Sequence, residues 1–210
     1  MSHRGILIVL SGFSGAGKGT LVNALRKKYD GYALSISATT RQPRDGEEEG
    51  KAYFFKRVEE FRRMIDEDAF IEYAQYVENY YGTPRAYVEE MLEQGKDVIL
   101  EIEIQGALKV KEKYPDALLM FVTTPDASTL KLRLLGRGTE TAEVVSSRLA
   151  RAVEEAEGIE NYDYLIVNDD LDAAVEEMHG IIQGEHYRIR RNTGFVKMIR
   201  KDLERFSKGE

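Results

Sequence analysis

The stretch "GILIVLSGFSGAGKGT", residues 5–20, constrains this chain more than any other. A short continuous apolar run over 5–10 leads into a loop with glycines at 12, 15, 17 and 19. Leu21, Val22 and Leu25 then recur at helical spacing, so the sequence predicts strand, loop and helix (Lys18 to Tyr29) in that order. A loop of this kind turns successive backbone N–H groups inward on one anion, beside a helix N-terminus and with Lys18 as a point charge. The alternative is a glycine-rich turn that binds nothing. In the usual phosphate-loop pattern the lysine is followed at once by Ser or Thr, whose hydroxyl reaches magnesium. Here Gly19 takes that place and the hydroxyl comes one residue late, on Thr20.

The other apolar runs repeat the theme. "DVILEIEI" (97–104), "ALLMFVTT" (117–124) and "YLIVN" (164–168) read as buried strands, with helical patterns over 105–113, 126–135 and 170–183. This alternation predicts an α/β fold with a parallel sheet covered by helices. Two stretches interrupt it. Residues 35–96 hold a polar Arg- and Gly-rich loop, short aromatic strands and two helices, which reads as an inserted α+β subdomain. Residues 133–152 hold an Arg-rich turn and a helix opened by Thr141, which reads as a lid. A basic helical tail, 185–210, follows and is expected to be solvated.

Composition narrows the chemistry. The 210 residues carry a net charge of −7, which argues against bulk nucleic-acid binding. There is no cysteine, so disulfides, thiolate zinc sites and thiol catalysis are excluded. The first apolar run is too short for a signal peptide or a membrane span, and the cytoplasm is the default address. Oligomeric state is not legible.

Four further clusters can carry chemistry. In "SATTRQPRDGEEEGKAYFF" (37–55), Arg41, Arg44 and Tyr53 can cradle a phosphate monoester; the alternative is a solvated charged loop. In "FIEYAQYVENYYGT" (70–83), Glu72 on a strand should face away from Ile71 and Tyr73. A fixed carboxylate there accepts the paired N1–H and N2–H₂ donors of guanine, which adenine lacks. Tyr81 and Thr83, two apart, project together. In "LEIEIQG", Glu101 and Glu103 should share one strand face, opposite Leu100, Ile102 and Ile104, at the end where ligands bind such sheets. In the lid region, Arg133, Arg137 and Arg148 can neutralise a transferring phosphoryl group; the alternative is an exposed amphipathic helix.

Together, the run "SATTRQPRDGEEEGKAYFF", the segments "FIEYA" and "NYYGT", and "GRGTET" resemble the guanylate kinase family from about residue 4 to 187. The resemblance implies a three-layer P-loop NTPase fold: core 4–34, 97–132 and 153–184, a GMP-binding subdomain 35–96 and a lid 133–152. It implies phosphoryl transfer from MgATP to GMP and dGMP, with no membrane or nucleic-acid partner. Gly12, Phe13, Ser14, Gly15, Ala16, Gly17, Lys18, Gly19, Thr20 and Asn168 would serve ATP. Ser37, Glu72, Thr83 and Glu103 would line the guanine pocket, and Arg41, Arg44, Tyr53 and Tyr81 would hold its phosphate. Lys18, Arg41, Arg133, Arg137 and Arg148 would be catalytic, and Glu101 would reach magnesium only through water. The family usually has Asp at Glu103, Pro at Phe13 and Gly at Glu78. A peptide-binding module with this fold usually lacks the loop lysine, and a kinase of another phosphorylated small molecule would not need Glu72.

Overall fold

In the computed structural model the described residues are 4–44, 46–76, 78–136 and 142–208. The chain begins with β1 (Leu7–Gly12), α1 (Lys18–Lys28), β2 (Tyr32–Leu34), β3 (Ala38–Thr39), β4 (Phe54–Phe55) and α2 (Val58–Asp66). It continues with β5 (Phe70–Tyr76), β6 (Asn79–Pro84), α3 (Arg85–Glu93), β7 (Asp97–Glu101), α4 (Ile104–Lys113) and β8 (Leu118–Thr123). Last come α5 (Ala127–Leu135), α6 (Ala142–Ala156), β9 (Tyr164–Val167), α7 (Leu171–His186) and α8 (Thr193–Ser207).

Five strands form a wholly parallel sheet in the order β2-β7-β1-β8-β9. Its strands are buried on both faces, which is why they read as unbroken apolar runs. Val9, Val98, Leu100 and Leu119 pack on one face with Val88 and Leu92 of α3 and Ala107 and Val110 of α4. Ile8 and Leu10 are equally buried and, by strand alternation, point to the other face. Leu21, Val22 and Leu25 of α1 are buried as that helix returns along β1 and β2. The parallel sheet flanked by helices is the P-loop α/β fold that the resemblance implies. β2 had no counterpart among the strands read from sequence, because three residues leave no period to detect.

A second sheet, β4-β3-β6-β5, makes the insertion. Phe61 and Phe70 stack beneath it with ring centroids 4.4 Å apart, and Tyr80 stacks on Phe61 at 5.4 Å. Two expectations fail in detail. The strand read over 97–104 stops at Glu101, because the Ile102 carbonyl accepts the Ser11 hydroxyl at 2.7 Å and Ile104 opens α4. The shared face of Glu101 and Glu103 therefore does not extend as pleated strand, and Ile102 and Ile104 line the same cavity as the two glutamates. In β5 the register slips between Phe70 and Tyr73. Ile71 is fully buried while Tyr73 is 41% exposed, so the two do not share a face.

The chain divides into two compact units, Met1–Val175 and Glu176–Glu210, with the division inside α7 rather than at residue 185. The smaller unit explains part of the basic run. Glu185, 2% exposed, is met by Arg188 at 3.2 Å, Arg191 at 3.6 Å and Arg190 at 3.7 Å. Asn192 Nδ2 donates to the carbonyls of His186 and Arg188 at 2.8 and 2.9 Å. Arg188 and Arg190 stay exposed, as expected of a solvated tail, yet all three arginines gather around one buried carboxylate.

Candidate active site

The C-terminal ends of β1 and β7 open on a cavity of about 840 Å³. Gly12, Ser14 and Lys18 line one end, and Ser37, Tyr53 and Thr83 the other. Glu101 and Glu103 lie on the core wall, facing Val144, Ser147, Arg148, Arg151 and Glu155 of α6. A ligand seated here lies beyond the carboxyl ends of the strands, where open α/β sheets bind their substrates.

The loop after β1 is a folded nest. Ala16 N–H donates to the Phe13 carbonyl at 3.0 Å, and Gly17 takes φ of 89° as the N-cap of α1. Asn168, nearly buried at the end of β9, donates from Nδ2 to the Ala16 carbonyl at 2.8 Å. A Cβ on Gly17 would come within 2.6 Å of that amide, so only glycine fits. Asn168 thus holds the back of the loop. Arg133 Nη1 reaches the same carbonyl at 3.5 Å; it stands in the last turn of α5, not in α6. Lys18 Nζ donates to the carbonyls of Gly12 at 2.7 Å and Phe13 at 3.2 Å. Phe13 meets Phe121 edge-on at 5.0 Å and packs with Leu130, Leu134, Val145 and Leu149 beneath α6.

Gly19 and Glu101 are neighbours across the cavity. A Cβ on Gly19 would lie 3.9 Å from both carboxylate oxygens of Glu101, within ordinary contact. Burial raises the Glu101 carboxyl above its ordinary value, and Lys18 pulls it back. No cluster of three or more His, Asp or Glu side chains forms a metal site among the described residues. A lone carboxylate beside the loop fits a hydrated ion brought in on a polyphosphate, not an all-protein cage.

At the other end, Thr83 donates its hydroxyl to Glu72 Oε1 at 2.7 Å. Glu72 Oε2 lies over the first turn of α4, where a Cβ on Gly106 would stand 3.4 Å away. Burial pushes the Glu72 carboxyl up, against the Thr83 bond and the charges of Lys109 and Lys113. A half-desolvated carboxylate with one oxygen fixed is suited to two neighbouring N–H donors. Arg41 lies over the Tyr53 ring at 5.4 Å, and Tyr53 meets Tyr81 at 6.1 Å. Its fork is already engaged: Nη2 donates to both Glu47 oxygens at 2.8 and 2.9 Å, and Arg44 N–H donates to Oε2 at 2.8 Å. This raises Arg41 and lowers Glu47 from their ordinary values. The Arg44 side chain is exposed.

From α6, Arg148 Nη1 donates to Ser14 Oγ at 2.9 Å. Arg137, and Thr141 as the start of this helix, lie outside the described residues. Sequence reasoning missed four participants. Ser35 lines the cavity with a buried Oγ that has no hydrogen-bond partner among the described residues. Glu47, Arg151 and Glu155 were legible only as charges; the i, i+3 spacing of Arg148 and Arg151 was the one local signal for the pair.

A loop able to wrap a polyphosphate faces a basic, aromatic pocket able to take a second anion. Such a cleft defines a P-loop phosphotransferase acting between nucleotides. The chain belongs to the guanylate kinase family, whose pattern residues 4–185 match. It is 51% identical to the guanylate kinase of Caldanaerobacter subterraneus subsp. tengcongensis over 202 residues, 96% of this chain and 98% of that protein. It is also 51% identical to that of Lactococcus lactis subsp. lactis over 191 residues, 91% and 93% of the two chains. The crystal structure of guanylate kinase from Anaplasma phagocytophilum superposes with a TM-score of 0.71 at 32% identity, covering 90% of each chain.

Proposed function

We infer from family and site together that this chain is an ATP:GMP phosphotransferase, converting GMP and ATP to GDP and ADP in purine nucleotide metabolism. The observation that carries the acceptor's identity is Glu72, half-desolvated and held by Thr83 at 2.7 Å. We assign Ser37, Glu72, Thr83 and Glu103 to the guanine base and Arg41, Arg44, Tyr53 and Tyr81 to its phosphate. Residues 12–20, with Asn168 behind them, take the ATP phosphates. Lys18, Arg133, Arg137 and Arg148 offset the charge gathered between the two nucleotides. On this reading residues 35–96 act as the acceptor subdomain and 133–152 as the lid, and dGMP is a second acceptor.

A phosphate oxygen of GMP attacks the γ-phosphorus in line; the new O–P bond forms as the bond to the ADP oxygen breaks. The second pKa of a phosphate monoester is about 6, so the nucleophile is already ionised near neutrality. A general base is therefore unnecessary, and the residues work by positioning and charge. Before transfer, the phosphate must draw Arg41 from Glu47, and Lys18 must exchange loop carbonyls for phosphate oxygens. Magnesium, when bound with ATP, would neutralise phosphate charge, with Glu101 orienting one of its waters across the gap at Gly19. Among the described residues no helix is long and apolar enough to cross a membrane, and we place the reaction in the cytoplasm.

The test is a coupled ADP-release assay with MgATP and, in turn, GMP, dGMP, AMP, CMP and UMP. GMP and dGMP should turn over and AMP should not. Equal rates with AMP, or no turnover with any acceptor, would remove the assignment.

A further inference from the structure

The wall of the cavity formed by α6 presents Val144, Ser147, Arg148, Arg151 and Glu155, one stripe at helical spacing. Its two arginines, three residues apart, make different ties across the cavity. Arg148 binds Ser14 in the phosphate loop. Arg151 Nη2 donates to Glu103 Oε2 at 2.6 Å, while its Nε donates to Glu155 Oε1 at 3.2 Å, one turn along its own helix.

Glu103 is available for this contact for a local reason. It is the N-cap residue of α4, with extended backbone (φ −77°, ψ 162°), and its side chain does not cap the helix. The side chain instead crosses the cleft, and binding Oε2 leaves Oε1 to the cavity. Reach matters as well. Shortening Glu103 by one methylene withdraws the carboxylate by about 1.5 Å, lengthening the contact to about 4 Å, where an ion pair ends.

We propose that Arg151 is a positioning residue for the acceptor base: it fixes Glu103 in the acceptor pocket and so couples base recognition to the lid helix. This rests on the assignment of Glu103 to the guanine pocket. Arg151 also separates two carboxylates. Without it Glu103 and Glu155 face each other across the cleft as like charges. Burial already raises the Glu155 carboxyl; Arg151 and Lys18 pull it down, and Glu103 pushes it further up. The donor end keeps its own tie, Arg148 to Ser14, so loss of Arg151 falls mainly on the acceptor.

The experiment measures steady-state kinetics of the full chain as wild type, Arg151→Ala, Arg151→Lys, Glu103→Asp and the double variant Arg151→Ala/Glu103→Asp. GMP is varied at saturating MgATP, and MgATP at saturating GMP. Both side chains are partly exposed, at 45% and 69%, which sets the scale of the effect at about fivefold. Arg151→Ala should raise KM for GMP by about that factor, with KM for ATP and kcat within about twofold; Arg151→Lys should recover part of the loss. In the Glu103→Asp background, Arg151→Ala should have no further effect, since the tie is already cut. An unchanged KM for GMP, parallel shifts in both KM values, or additive effects in the double variant would overturn the proposal. Wild-type turnover of GMP with those outcomes would leave the kinase reading standing; failure of the wild type with GMP would remove both.

Discussion

The two ends of the cleft are built differently. The end we assign to the donor is a glycine-rich loop, which Asn168 pins from behind through the Ala16 carbonyl. The end we assign to the acceptor is side chains drawn from β5, β6 and the segments on either side of β3, and its main cation is already engaged by Glu47. At one end a lysine must leave two loop carbonyls for a ligand; at the other an arginine must leave an internal carboxylate. A backbone nest costs little to reorganise on binding, whereas the cradle trades one ion pair for another and so can be selective without gripping hard.

Three measurements would break or sharpen that contrast. The largest effect is expected from Lys18→Met, which removes the only side-chain charge in the donor loop. Its kcat should fall by about 10²–10³-fold with the melting temperature nearly unchanged. A milder loss would mean that the loop backbone and the arginines carry the transfer alone. Next is the pH dependence of guanosine binding, which involves no phosphate titration. Burial raises the Glu72 carboxyl above its ordinary value of 4.5. Protonation therefore begins at higher pH than for an ordinary glutamate, and below the raised value affinity should fall by up to about tenfold per pH unit. Glu72→Gln should bind weakly and without that limb; a limb persisting in this variant would move recognition elsewhere. Stability runs the opposite way: the folded chain favours neutral Glu72, a contribution present below the unfolded value and lost as pH rises through the folded one. The smallest effect is expected from Asn168→Ala, which should raise KM for ATP by about two- to threefold and leave KM for GMP unchanged, since Arg133 still reaches the Ala16 carbonyl and the lost hydrogen bond then counts for about 0.5 kcal/mol. Equal effects on both substrates would show that the ends are not independent.

The donor end was legible because its parts are adjacent in sequence: strand, glycines, lysine and helix lie within residues 5–29. Glu72, Arg41 and Tyr53 were legible as residue types that suit the ligand. Their present partners were not. Nothing local shows that Glu47 takes the fork of Arg41, or that a register slip in β5 sends Ile71 into the core while Tyr73 stays outside. The end of β7 depended on a hydroxyl 91 residues away, and the Arg151–Glu103 pair spans 48. Such contacts follow from tertiary placement, which periodicity does not encode.

The carboxylate of Glu185 has a consequence for where the polypeptide can be shortened. The family pattern ends at residue 185, which makes that position an inviting place to cut. Its three cations, Arg188, Arg190 and Arg191, all come afterwards. Trimming there would take all three arginines from a carboxylate that is 2% exposed, and a chain cut at 185 should melt at a lower temperature than the full one. The last turn of α7 is thus tied to residues beyond the family pattern, and a shortened polypeptide that keeps those ties runs at least to Asn192.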